Sequence, residues 1–148
     1  MITNKVIVLG PDHYNTLWIV RSLGMMGLIP FVIILNPNGK SFVSKSKYCN
    51  GYVIKSNKGD IIRFLLDQIC DEKKVLFTSS DELAELLDKN YNILSKKYFI
   101  QNCNEQQGCL SYWMDKKNML LKAADCGLII PKSISFSTSG SCDISLVK

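Results

Sequence analysis

The strongest constraint on this chain is a run near its start, Lys5-Val6-Ile7-Val8-Leu9, that closes on Gly10-Pro11. Unbroken β-branched and apolar residues, with no polar alternation, describe a strand buried on both faces, as in a parallel sheet covered by helices on each side. Gly10-Pro11 ends it in a turn. A second run of the same kind, Phe31-Val32-Ile33-Ile34-Leu35, stops at Asn36-Pro37-Asn38-Gly39, a cluster of turn formers. Between the two, Ile19, Val20, Leu23 and Met26 recur at the spacing that lines one face of a helix. Gly27 stands where that helix would end in a left-handed residue.

The alternation continues. Tyr52-Val53-Ile54 is a third, shorter strand, reached through a polar segment rich in Ser and Lys. Asp60 to Cys70 is amphipathic, with Ile62, Leu65, Leu66 and Ile69 expected on the inner side. Lys74-Val75-Leu76-Phe77-Thr78 is the fourth strand, and Tyr98-Phe99-Ile100 the fifth. Ser79 with Glu82 reads as a capping box, ahead of a helix whose stripe is Leu83, Leu86 and Leu87. Parallel neighbours need a crossover connection. The pattern therefore predicts an α/β, Rossmann-like parallel sheet of four or five strands with helices on both faces.

Asn102 to Tyr112 is polar, contains Gly108 and has no helical stripe, so a loop and a domain boundary are expected there. This divides the chain into residues 1–112 and 113–148. The second part opens with Trp113-Met114-Asp115-Lys116-Lys117-Asn118-Met119. Asp115 is placed to cap a helix running to Cys126, with Leu120, Ala123 and Ala124 inward, Gly127 closing it and a strand at Ser133 to Phe136.

With 47% hydrophobic and 21% charged residues the composition is that of a folding domain rather than a disordered chain. The first apolar run is far too short for a signal peptide core or a membrane span, so a cytoplasmic address with no membrane partner is expected. Six cysteines at irregular intervals, without a CxxC pair and with a single histidine, spell out neither a zinc framework nor a redox motif. They read as reduced thiols, mostly core filler, although Cys49 in a basic stretch is a candidate for a lowered pKa.

The net charge of +5 is unevenly spread. From His13 to Gly59 there is no Asp or Glu, while Arg21, Lys40, Lys45, Lys47, Lys55 and Lys58 fall in that stretch. It describes either a solvated lysine face or a surface that attracts an anion. The lysines are not interleaved with a nucleic-acid reading motif, so no nucleic-acid partner is expected.

Three places could carry chemistry. The turn after the first strand, Gly10-Pro11-Asp12-His13-Tyr14-Asn15, has one glycine where a dinucleotide site has three, and Asp12 would repel a diphosphate. It still lies at the carboxyl end of a strand, where open α/β sheets bind ligands, so Gly10, His13 and Asn15 are candidate substrate contacts. The plainer reading is that Asn15 or Asp12 caps the helix and His13 is a surface turn residue. Ser80, Asp81 and Glu82 form a second such turn, with the same two readings. The third place is the helix after Asp115, whose first turn carries Lys116 and Lys117 against the helix dipole; a polyphosphate there would neutralise them.

Asp115-Lys116 followed by Met119, Ala123, Ala124, Gly127 and Pro131 resembles the helix and strand that open the ATP-grasp fold of carbamoyl-phosphate synthase large subunits and biotin carboxylases. Val6 to Gly10 with Ile19-Val20-Arg21-Ser22-Leu23-Gly24, and Leu76 to Glu82, resemble the domain that precedes it. The resemblance spans about residues 4 to 136. It implies an N-terminal portion of an ATP-dependent carboxylate-amine or related ligase that works through an acyl phosphate. In such ligases ATP and magnesium are cofactors, and the substrate is a small carboxylate or amine. It implies Lys116 as a nucleotide contact, no catalytic or metal residue within 1–148, no tight cofactor binding by this portion alone, and compatibility with a homodimer. The glycine-rich lid, the second ATP-binding basic residue and the magnesium ligands of the family have no counterpart in this stretch. The alternative is a stand-alone Rossmann-like small-molecule or nucleotide binding module without catalysis. A glycosyl-transfer domain is disfavoured, since there is no Asp-x-Asp pair.

Overall fold

The computed structural model describes residues 4–69 and 71–132. The strand expected at Ser133 to Phe136, and Cys70 and Cys142, lie outside them. The chain divides into two compact units, Met1–Tyr112 and Trp113–Lys148.

The first unit is a five-stranded, all-parallel sheet of order β3-β2-β1-β4-β5. Its elements follow in the order β1 (Val6–Pro11), α1 (Tyr14–Met25), β2 (Phe31–Leu35), a single 3-10 turn (Val43–Lys45), β3 (Tyr52–Lys55), α2 (Lys58–Asp67), β4 (Lys74–Thr78), α3 (Asp81–Asp88), α4 (Tyr91–Leu94) and β5 (Tyr98–Ile100). Two further helices, α5 (Cys109–Met114) and α6 (Lys116–Asp125), come after the sheet.

β1 is central because its side chains suit no other place. Residues Val6 to Gly10 are all buried, with Ile7 and Leu9 in one core and Val8 in the other. Ile7 is registered against Phe31 of β2 and Leu76 of β4; Leu9 faces Ile33 and Thr78. One core joins Ile7, Leu9 and Ile33 to Ile61 and Leu65 of α2, Leu83 and Leu87 of α3, and Leu94 and Tyr98. The other joins Val8, Val32 and Ile34 to Val20 of α1 and Val43. Each fully buried aliphatic side chain contributes about 1.5–3 kcal/mol against its exposed state. Helices on both faces are thus a direct consequence of strands that are apolar on both sides. No helix among the described residues is long and apolar enough to cross a membrane.

Helix α1 ends as its sequence suggests. Gly27 has φ +80°, its N–H donates to Gly24 O at 3.1 Å, and Leu28 N donates to Leu23 O at 2.9 Å, a Schellman closure. Gly127 does the same for α6, with Leu128 N to Ala123 O at 3.0 Å.

Several inner faces differ from expectation. Thr16 and Val20 are the buried residues of α1, with Ile19 and Leu23 packed beside them, while Met26 is 76% exposed. Met26 follows the last helical residue, so the helical period no longer positions it. In α2 the buried pair is Ile61 and Leu65, with Ile62 and Leu66 flanking. The helix stops at Asp67, leaving Ile69 66% exposed. None of the described cysteines is fully buried; Cys49 packs against the core on the α1 side, and Cys126 is exposed.

The expected loop at Asn102 to Tyr112 contains the start of α5. That helix is short and has no buried residue; what anchors it is the buried Asp88 at the end of α3. The Asp88 carboxylate accepts from Ser111 N at 2.8 Å and Ser111 Oγ at 2.6 Å. A polar anchor leaves no apolar stripe to read.

In the second unit, Asp115 caps α6, its carboxylate accepting from Lys117 N at 3.0 Å and Asn118 N at 3.1 Å. Leu120 and Ala123 are half-buried, but Ala124, expected inward, is exposed.

The corrected face of α2 has a measurable consequence. Leu65→Ala should lower unfolding free energy by about 2–5 kcal/mol, and Ile69→Ala should change it by less than about 0.5 kcal/mol. Urea denaturation followed by circular dichroism checks both values.

Candidate functional site

In this strand order the chain leaves β1 toward β2 on one side and arrives at β4 on the other, so the β1–β4 boundary is the switch point of the sheet. Open α/β sheets bind ligands outside the carboxyl ends of the strands at this point. Both sequence-derived candidate turns meet there. Gly10 belongs to the end of β1, with His13 and Asn15 just beyond it; Ser80, Asp81 and Glu82 follow β4.

What joins the two turns is a pair of hydroxyls. Thr16, fully buried in the first turn of α1, donates through Oγ1 to Pro11 O at 2.6 Å and lies 2.7 Å from Ser79 Oγ. Gly10 is buried beneath them, and a Cβ at that position would overlap Ser79 Oγ and Thr16 Oγ1. Ser79 N donates to Leu9 O at 3.1 Å, extending the sheet ladder by one residue past β4. Gly10 is therefore required for close packing of two turns, not for approach of a diphosphate.

The caps are not those expected. His13 is the N-cap of α1, its Nδ1 accepting from Asn15 N at 3.3 Å; neither Asp12 nor Asn15 fills that role. Asn15 is exposed. The Asp12 carboxylate reaches across to the β2–β3 connection, accepting from Ser41 Oγ at 2.6 Å, Val43 N at 3.1 Å and Phe42 N at 3.2 Å. For α3 the cap is Ser80, whose Oγ accepts from Leu83 N at 3.4 Å, rather than Ser79. Ser79 is already committed to Thr16.

Of the two adjacent carboxylates, Glu82 pairs with Lys58 at 2.6 Å across exposed surface, an ion pair worth at most about 1 kcal/mol. Asp81 is exposed and has no ion pair or hydrogen bond from its side chain among the described residues. The first turn of α1 holds no acidic residue, and the carboxylate that precedes its cap, Asp12, is bonded to the β2–β3 connection. One turn thus offers a site for negative charge and the other a carboxylate for positive charge.

Lys116 is exposed at the first position of α6, in the second unit. Burial pushes the Cys49 thiol up from its ordinary range, against the lowered pKa expected from its basic surroundings; a backbone hydrogen bond with Gly51 only partly offsets this. Desolvation outweighs lysines that are solvent-screened. Among the described residues no group of three His, Cys, Asp or Glu side chains is arranged to hold a metal ion.

Thr16, Ser79 and the reach of Asp12 were missed from sequence. Each depends on contacts between residues far apart in the chain, and Thr16 is a single polar residue inside an otherwise apolar helix face.

No protein-family model, curated protein or solved structure matches the chain.

Thr16→Val keeps the shape of the side chain but leaves the Ser79 hydroxyl and the Pro11 carbonyl without their partner. It should cost about 1–3 kcal/mol of stability, with Thr16→Ser much milder. Equilibrium unfolding of the two variants measures the difference.

Proposed function

We propose that the first unit forms one wall of the substrate cleft of an ATP-dependent ligase that joins a carboxylate to an amine through an acyl phosphate. The observation that carries this reading is the switch point itself. A helix start with no acidic residue in its first turn, at Tyr14–Thr16, is tied through the Thr16–Ser79 contact to a turn bearing the unpaired Asp81. A substrate with a carboxylate at one end and an ammonium group at the other has a complement in each turn, the positive end of the α1 dipole for the first and Asp81 for the second. His13 and Asn15 on one side and Ser80 on the other are the hydrogen-bonding groups that would fix its orientation.

Two observations support assigning nucleotide chemistry elsewhere. The turn after β1 has no glycine-rich cradle, and Asp12 is placed there as structural glue for the β2–β3 connection. The second unit begins with the Asp115 cap and the exposed Lys116, the segment whose sequence resembles the opening of an ATP-grasp fold. Lys116 is the residue we assign to nucleotide phosphates, with magnesium held outside the described residues.

A stand-alone binding module is the second reading, favoured by the closure of the five-stranded sheet and both its cores within the first unit. The two readings differ in turnover. With the complete gene product, ATP, magnesium and a panel of amino acids and dicarboxylates, the ligase reading predicts ADP release and trapping of the acyl phosphate by hydroxylamine as a hydroxamate. Asp81→Asn should then lower kcat/KM for the amine-bearing substrate at least about tenfold, equivalent to ~1.4 kcal/mol. Ligand binding by calorimetry with neither ADP nor hydroxamate formed would reverse the assignment in favour of the module.

A further inference from the structure

The connection from β2 to β3, residues 36–51, is the one crossover between neighbouring strands of the first unit that contains no α-helix; it has a single 3-10 turn at Val43–Lys45. A parallel pair is usually bridged by a helix that packs on the sheet. Here the connection, with Tyr52 and Ile54 of β3, instead lines an open cavity of about 730 Å³. This is within the range of small-molecule sites, ~300–1,000 Å³.

The connection is held by built-in polar bonds. The Asp12 carboxylate takes three hydrogen bonds from Ser41, Phe42 and Val43 at one end. At the other, Asn36 Oδ1 accepts from Asn38 N at 2.9 Å, Gly39 N donates to Asn36 O at 3.2 Å, and Gly39 takes φ +69°. Ser44 N and Oγ close the middle onto Ser41 Oγ and Ser41 O, at 3.1 and 2.8 Å.

The lining has a distinct chemistry. Lys40 and Lys45 contribute two ammonium groups, and neither carries an ion pair among the described residues. The one carboxylate in the lining, Asp12, is spent on its three donors. No acidic residue exists between His13 and Gly59 to offset the lysines. Two aromatic rings, Phe42 and Tyr52, line the same cavity with 42% and 49% of their surface still exposed. Phe42 is backed by the ring of Tyr14, 5.5 Å away.

We propose that this cavity is a second ligand site, separate from the switch point, that takes a small anion carrying a flat aromatic or heteroaromatic group. Lys40 and Lys45 hold the anionic group, Asn38 supplies an amide for a directed hydrogen bond, and Phe42 and Tyr52 flank the ring. The inference does not rest on the ligase reading: of the first candidate turn it uses only Asp12 and Tyr14, as supports of the wall, and of the second nothing.

The test uses adenosine monophosphate as a probe that joins a phosphate to a heteroaromatic ring, with adenosine and inorganic phosphate as its halves. The chain is titrated by calorimetry and by amide chemical-shift mapping. The expected result is that the monophosphate binds more tightly than either half and shifts amides within 36–45 and 52–54. The Lys40→Ala/Lys45→Ala double variant should weaken it at least about tenfold with an unchanged thermal midpoint, and Tyr52→Leu should weaken monophosphate and adenosine together. Unaltered affinity in the double variant, phosphate binding as well as the monophosphate, or no binding at millimolar concentration would each overturn the proposal. Shifts confined to residues 12–16 and 79–83 would also overturn it and would instead concern the switch point, so failure here is distinct from failure of the ligase reading.

Discussion

The part-buried contact between Thr16 Oγ1 and Ser79 Oγ, 2.7 Å apart over Gly10, is the point on which the arrangement of the carboxyl edge depends. It joins the exit of β1 and the first turn of α1 to the exit of β4, stretches of chain 63 residues apart in sequence. Hydrogen bonds in such a place gain little net energy when made, about 0.5–1.5 kcal/mol, but leaving a buried hydroxyl or carbonyl unpaired costs more. The contact therefore specifies geometry more than it adds stability. It holds a helix start without acidic residues beside a turn that carries an unpaired aspartate. The proposed placement of substrate rests on that juxtaposition.

The two faces of the sheet divide the work. The face covered by α2, α3 and α4 holds the larger core and anchors the sequence that leads out of the sheet, through Asp88 and Ser111. The opposite face is covered by α1 and by a helix-free connection, which with β3 lines an open cavity. Asp12 belongs to both stories: it leaves the β1 turn and pins that connection. A residue that at first sight excludes a diphosphate from one site thereby shapes the wall of another.

Strands were legible from sequence because a parallel sheet buried on both faces leaves long apolar runs, and Gly, Pro and Asn mark their ends. β2, β4 and β5 match their expected bounds, and β1 and β3 run slightly longer at their carboxyl ends. The helix at Asp115 was legible because its cap is local. Helix faces were less so: Met26 and Ile69 keep the apolar period in sequence while the helices have already ended. The cap of α3 was displaced by one residue, since Ser79 and Ser80 are chemically alike and only the distant Thr16 distinguishes them. The candidate turns were found by topology, that is, by the rule about strand ends. Their link through Thr16, and the pinning by Asp12, are long-range and leave no periodic trace. Polar anchors such as Asp88 likewise escape a reading based on apolar spacing.

The central claim is that ligand is held where β1 and β4 end, between α1 and α3. It is tested most directly by amide chemical-shift mapping of the chain during titration with amino acids and dicarboxylates. The account predicts saturable shifts concentrated in Asp12–Thr16 and Ser79–Leu83 for at least one compound bearing both a carboxylate and an ammonium group, reduced in Asp81→Asn. Saturable shifts around β5 and Asn102, or unshifted switch-point amides across the whole panel, would contradict it.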